Sequence, residues 1–233
     1  RVVRVKEQSY IANRATNRLG KAAIKRINAL GGIMDISQLS SQAALQAIEL
    51  SISPVIASHS NIRALSDVSR NLSDEEIDLI GKIGGVIHIA PFRGYLFDST
   101  DKELDKQIRV ARLEANIKED YYYPFELYWE IDDEAVQQKF LGAVSDLLGP
   151  GSIDDMIRHI DYVVDRIGID HVGIGTDFNH GSGITGYADA SEAMNVTAAL
   201  LEHGYSQEDV EKIWGGNFVR VFRAAQSLAG KQP

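Results

Sequence analysis

Short apolar runs alternate with longer stretches of helical periodicity along most of this chain, and no other feature limits its fold as much. Arg18 to Leu30 reads as an amphipathic helix, with Ala23, Ile24, Ile27 and Leu30 opposite Lys21, Lys25, Arg26 and Asn28. Gly31-Gly32 ends it, and residues 32–37 follow as a strand. Ser40 or Ser41 caps the next helix, with Leu45 and Ile48 inward. Pro54 cannot continue that helix and opens a short β-branched strand to Ser58. Ser73 with Glu76 forms a capping box for a helix through Ile77 and Ile80 to Ile83. Gly84-Gly85 stops it, and residues 86–92 are a third strand. Ser152 starts a helix with Ile153, Ile157, Ile160, Val164 and Ile167 on one face, and residues 171–179 are a fourth strand. Helices follow at 190–203, 206–214 and 215–228. Strands and helices in strict alternation predict an α/β fold with a parallel sheet.

Between Gly94 and Gly151 the pattern changes. A charged helix from Asp101 to Glu119 and another from Asp132 to Leu148 flank the aromatic run Tyr121 to Trp129. This is an insertion after the third strand. Its aromatics either line a lid or subunit contact, or simply pack the insertion onto the body; both uses suit such side chains.

Composition removes several partners. A net charge of -9 over 233 residues argues against nucleic acid and anionic membrane surfaces. No apolar run approaches the roughly 18–20 residues that span a bilayer. With no cysteine, any metal must be held by histidine, carboxylate or other oxygen ligands. The compartment stays open on composition alone. The chain opens on Arg1-Val2-Val3-Arg4 without methionine or a signal-peptide pattern, so it is expected to be part of a longer product.

In barrels of alternating strands and helices, chemistry is done at the carboxyl ends of the strands. That rule sorts the polar residues. His59 ends its strand and is the candidate metal ligand; Gln38 follows the first strand and Asp177 ends the fourth. Arg70, eleven residues after His59, suits a carboxylate. Imidazole and carboxylate suit zinc, although an amide oxygen such as that of Gln38 would be a weak ligand. His171 begins its strand and is expected to be structural. His88 is mid-strand and expected as a hydrogen-bonded core residue, His159 and His203 are expected on helix surfaces, and His180 has at most a minor role near the site.

At these residues the chain resembles the renal (membrane) dipeptidases and their bacterial relatives. The motifs are IMDISQLS (33–40), PVIASHSNIRAL (54–65), RNLSDEEI (70–77), IDHVGIGTDF (169–178) and GGNFVRVF (215–222). The resemblance implies a (β/α)8 TIM-barrel metallopeptidase that holds two zinc ions and hydrolyses dipeptides or small amides. The chain would be the carboxyl-terminal half of that single domain, its last four βα units with residues 94–151 as a helical insertion. In the family a His-x-Asp pair and a bridging glutamate hold metal. Neither can be identified here, and they are expected to lie before Arg1. His59 matches the second of two further metal-binding histidines, and Gln38 stands where the first would be. Arg70 matches the arginine that takes the substrate's carboxylate, and Asp177 an aspartate beside the catalytic water. The resemblance further implies a periplasmic or extracellular location, and the aromatic insertion is expected to close over the pocket and contribute to a homodimer contact. The alternative is a dipeptidase-like binding or structural module without catalysis, given Gln38 and the missing ligands.

Overall fold

The computed structural model describes residues 15–116 and 133–230. Its centre is a small parallel sheet of β1 (Ile56–Ala57), β2 (Val86–Ile89) and β3 (Val172–Ile174), in that order. Ile56 pairs with Val86, and Ile87 with Val172. The run predicted as a first strand (32–37) is reduced to a single parallel bridge between Asp35 and Ile56. The other predicted strands are also shorter than their apolar runs. β2 stops before Pro91, which has no N–H to give the ladder. The fourth run, predicted from His171, joins the sheet only at Val172, after a 3-10 turn over Ile169–His171, and leaves it after Ile174.

Helices make up most of the rest, and their starts follow the sequence closely. Helix α1 (Arg18–Ala29) is capped by Asn17, and α2 (Ser41–Leu50) by Ser40. Helices α3 (Asp74–Lys82) and α7 (Ile153–Ile167) each carry a full capping box, from Ser73 with Glu76 and from Ser152 with Asp155. Between them lie the short α4 (Arg93–Leu96), then α5 (Lys102–Glu114) and α6 (Glu134–Leu148). The aromatic run 121–129 lies outside the described residues. Helices α8 (Ala193–Glu202), α9 (Gln207–Glu211) and α10 (Asn217–Ser227) complete the order. A π turn over Lys212–Gly216 joins the last two into one rod. It sets Asn217 so that its amide donates to the carbonyls of Ile169 and Val172, both at 2.8 Å. That fixes the amino-terminal end of β3.

One apolar core runs through the sheet and its covering helices, with Ile36, Ile62, Ile77, Ile80, Ile87, Ile89, Met156 and Ile160 almost fully enclosed. Each such side chain contributes roughly 1.5–3 kcal/mol on burial. A second, small cluster of Ala115, Phe140 and Val144 joins α5 to α6. Among the described residues no helix is long and apolar enough to cross a membrane.

Candidate active site

Because the strands are parallel, the turns after Asp35, Ala57 and Ile174 all emerge at the same edge of the sheet. Gly175 lets them crowd together. A Cβ built there would stand 2.9 Å from the Ser58 carbonyl oxygen and 3.3 Å from that of His88, so any side chain would push this turn off the one after Ala57 and off the end of β2.

The result is a cluster around the His59 imidazole. Gln38 Nε2 lies 2.8 Å from His59 Nε2. His59 Nδ1 lies 2.8 Å from Ser58 Oγ, and that hydroxyl donates to Asp35 Oδ2 at 2.5 Å. Asp35 Oδ1 also accepts the backbone N–H groups of Ser37 and Ser58, while His59 N donates to Ser37 Oγ. Burial holds the imidazole below the ordinary histidine range. The Arg70 charge pushes the same way, Asp177 and Asp35 push back, and His180 adds a smaller lowering. The four residues expected from sequence, Gln38, His59, Arg70 and Asp177, therefore meet within electrostatic reach of one ring.

Asp177 is held from behind. His180 Nδ1 donates to its Oδ1 at 2.9 Å, and its Oδ2 makes no hydrogen bond among the described residues. Three non-glycine residues among those described have positive φ, and Gln38 (68°) and Asp177 (53°) are two of them. Such backbone is disfavoured by roughly 1–3 kcal/mol and collects at working sites. Arg70 comes from the loop after His59, which side chains tie to its surroundings. Asn61 exchanges two hydrogen bonds with the Ala90 backbone, donating at 3.0 Å and accepting at 2.9 Å. The Asn71 amide donates to the carbonyls of Ser66 and Tyr95. Arg70 itself is 7% exposed; its Nε donates to the Tyr95 hydroxyl at 3.1 Å, and its guanidinium lies 5.3 Å from that ring's centre.

The other histidines divide as follows. His171 Nδ1 bonds the Gly85 carbonyl at 2.8 Å and His88 Nδ1 the Ala57 carbonyl at 3.2 Å, which are structural tasks. His203 pairs with Asp161 on the surface. His159 departs from its expected helix-surface position: it is fully buried, and its Nδ1 accepts the N–H of Ile62 at 3.0 Å. The reason is helical spacing, since it sits three residues after Met156 and four before Val163, both buried. Asp35, Ser58 and Tyr95 escaped the sequence reading altogether. A serine beside the strand-end histidine was the available signal for Ser58; nothing local marked its partner 23 residues earlier.

Toward a metal, the four residues expected from sequence offer one imidazole (His59), one carboxylate (Asp177) and the Gln38 amide. No group of three or more His, Asp or Glu that could hold an ion occurs among the described residues. A catalytic zinc site needs three protein ligands, so this set does not fit one by itself.

Sheet, turns and cluster together define an α/β protein with a polar cluster at the carboxyl edge of its parallel strands, and comparison with known proteins gives its family. The chain belongs to the membrane dipeptidase family (Peptidase family M19), whose model matches residues 2–233. It is 38% identical to the probable dipeptidase PvdM from Pseudomonas aeruginosa, whose crystal structure it matches with a TM-score of 0.78, over 92% of this chain and 56% of that one. It is 30% identical to Dipeptidase tcpJ of Claviceps purpurea, over 91% of this chain and 39% of that protein. A metallo peptidase from Rhodobacter sphaeroides, solved with a phosphinate mimic of the dipeptide L-Ala-D-Ala, shares the fold. There the TM-score is 0.67 at 22% identity, over 93% of this chain and 49% of that one. The chain thus spans between about two fifths and just over half the length of these relatives.

Proposed function

We propose that this chain is the carboxyl-terminal part of a single (β/α)8 barrel domain, with residues 94–151 as a helical insertion. The complete protein would be a metal-dependent hydrolase that cleaves the peptide bond of dipeptides. What supports the reading most is the convergence of Arg70 and Asp177 on the His59 corner, in a chain of the membrane dipeptidase family. Zinc is the proposed metal, since imidazole and carboxylate donors suit it.

The roles proposed for this chain's own residues are binding, orientation and proton transfer. Arg70, nearly buried and braced by Tyr95, takes the free carboxylate of the dipeptide as a charge-assisted pair. Asp177 offers Oδ2 as a proton acceptor, while His180 fixes the carboxylate through Oδ1. The complete protein would form a homodimer, which the density of large apolar side chains in the sequence of the insertion supports, because such a cluster gains from burial. The test is hydrolysis of a dipeptide panel by the complete protein, with and without chelator. Hydrolysis that chelation abolishes and zinc restores is expected; no turnover of any dipeptide would contradict it.

A second reading, a dipeptidase-like binding or structural module without catalysis, is favoured by one observation. The Gln38 amide nitrogen occupies the direction of His59 Nε2.

A further inference from the structure

The contact between Gln38 and His59 can be resolved to single hydrogens. A carboxylate only accepts, so the 2.5 Å bond from Ser58 Oγ to Asp35 Oδ2 uses the serine's hydrogen. Toward His59 Nδ1, at 2.8 Å, Ser58 Oγ is then the acceptor, and Nδ1 carries the ring's N–H. In the neutral ring Nε2 is left as a bare lone pair. The Gln38 side chain lies 2.8 Å away on that lone pair, and only its amide N–H can satisfy it. An amide nitrogen has no lone pair to give a metal, and an ion on an imidazole nitrogen needs roughly 2.0–2.1 Å of clear approach.

The arrangement is built rather than incidental. Residues 35–37 are stitched to residues 58–59 by the backbone N–H groups of Ser58 and His59, which donate to Asp35 Oδ1 and Ser37 Oγ at 3.1 Å each, and by the Ser58 hydroxyl on Asp35. Gln38 sits in left-handed backbone at φ 68°, a conformation glutamine avoids when nothing compels it.

We propose that Gln38 is a cap that keeps divalent ions off His59, so this corner works as an amide–imidazole hydrogen-bonding pair. Any ion of the complete site is held by residues other than His59, and the protein takes one ion fewer than a site with two imidazoles here would. The proposal does not depend on hydrolysis, because its readouts are ion number and ring state.

Bound zinc or cobalt(II) per chain is measured on the complete protein after gel filtration. His59→Ala is expected to leave the count unchanged. Gln38→His is expected to add one ion per chain, and His59→Ala in that background to remove it. A wild-type protein that loses an ion on His59→Ala overturns the proposal, as does a folded Gln38→His protein that gains none. Side-chain nitrogen NMR of the wild type needs no variant. Nδ1 protonated, with an Nε2 resonance unmoved by excess zinc, supports the cap; a zinc-dependent shift of Nε2 overturns it.

Discussion

The turns around His59 and the pair of helices α5 and α6 are held together by opposite means. Around His59 the bonds are long in sequence: Asp35 reaches Ser58, Asn61 reaches Ala90, and His159 reaches Ile62 across 97 positions. In α5 and α6 the ties are mostly local or exposed, such as Arg109 with Asp105 and Lys139 with Glu114, around the small Ala115–Phe140–Val144 cluster. A site must keep side chains fixed to fractions of an ångström, and buried side-chain-to-backbone bonds do that at the expense of tolerance to change. Exposed ion pairs impose no such precision. Substitutions in the first region are therefore expected to be felt at a distance, and in the second to stay local.

The largest expected effect is on catalysis. In a hydrolytically active complete protein, Asp177→Asn should lower kcat on the order of 10²–10⁴-fold, the range for losing a positioned proton acceptor. Steady-state kinetics on a dipeptide check it, and a change under threefold would remove Asp177 from the chemistry. Next comes His159→Ala, which leaves the Ile62 N–H buried without its acceptor and should cost about 1–3 kcal/mol in denaturant unfolding. Hydrogen exchange should rise over residues 60–72 while α5 and α6 keep their protection.

His159 also predicts a pH dependence. Burial first, then the Arg158 charge, lowers it to about 3 in the folded chain, against a usual value near 6.5. Below 6.5 the unfolded chain binds a proton that the folded chain refuses. This contribution to stability is thus fully present above 6.5 and is lost as pH falls toward 3, at about 1.4 kcal/mol per pH unit. The His159→Ala protein should lack that part of the slope when unfolding is followed between pH 6 and 4.

Ser58→Ala cuts the link from Asp35 to the imidazole and should cost about 1–2 kcal/mol, the worth of the two hydrogen bonds its hydroxyl makes. Its clearer mark would be a mixed His59 tautomer in nitrogen NMR. The smallest effect closes the comparison: Glu114→Gln removes an exposed pair with Lys139 and should stay within about 0.5 kcal/mol in thermal unfolding.

Local chemistry was legible in the sequence. The Ser73–Glu76 box, the Ser152 helix start and the placement of His59 after its strand all follow from residues within a few positions of one another. Strand length was not, because an apolar run does not say where its backbone finds a partner. Residues 32–37 hold a single bridge, and residues 169–171 turn before β3 begins. Burial of His159 could have been read from its spacing to Met156 and Val163. The Asp35–Ser58–His59–Gln38 chain could not, since it exists only after two turns 23 residues apart are brought to one edge. The strand-end rule and the family motifs both pointed to Arg70 and Asp177 beside His59, and the charges of both act on that ring.

Arg70 is proposed to read a dipeptide at this corner by its free carboxylate. The most direct measurement compares hydrolysis of free and carboxyl-amidated dipeptides by the complete protein and its Arg70→Ala variant. The account predicts a strong preference for the free acid in the wild type. That preference should collapse in the variant through a higher KM, a loss on the order of 2–5 kcal/mol. An unchanged preference in Arg70→Ala would contradict it.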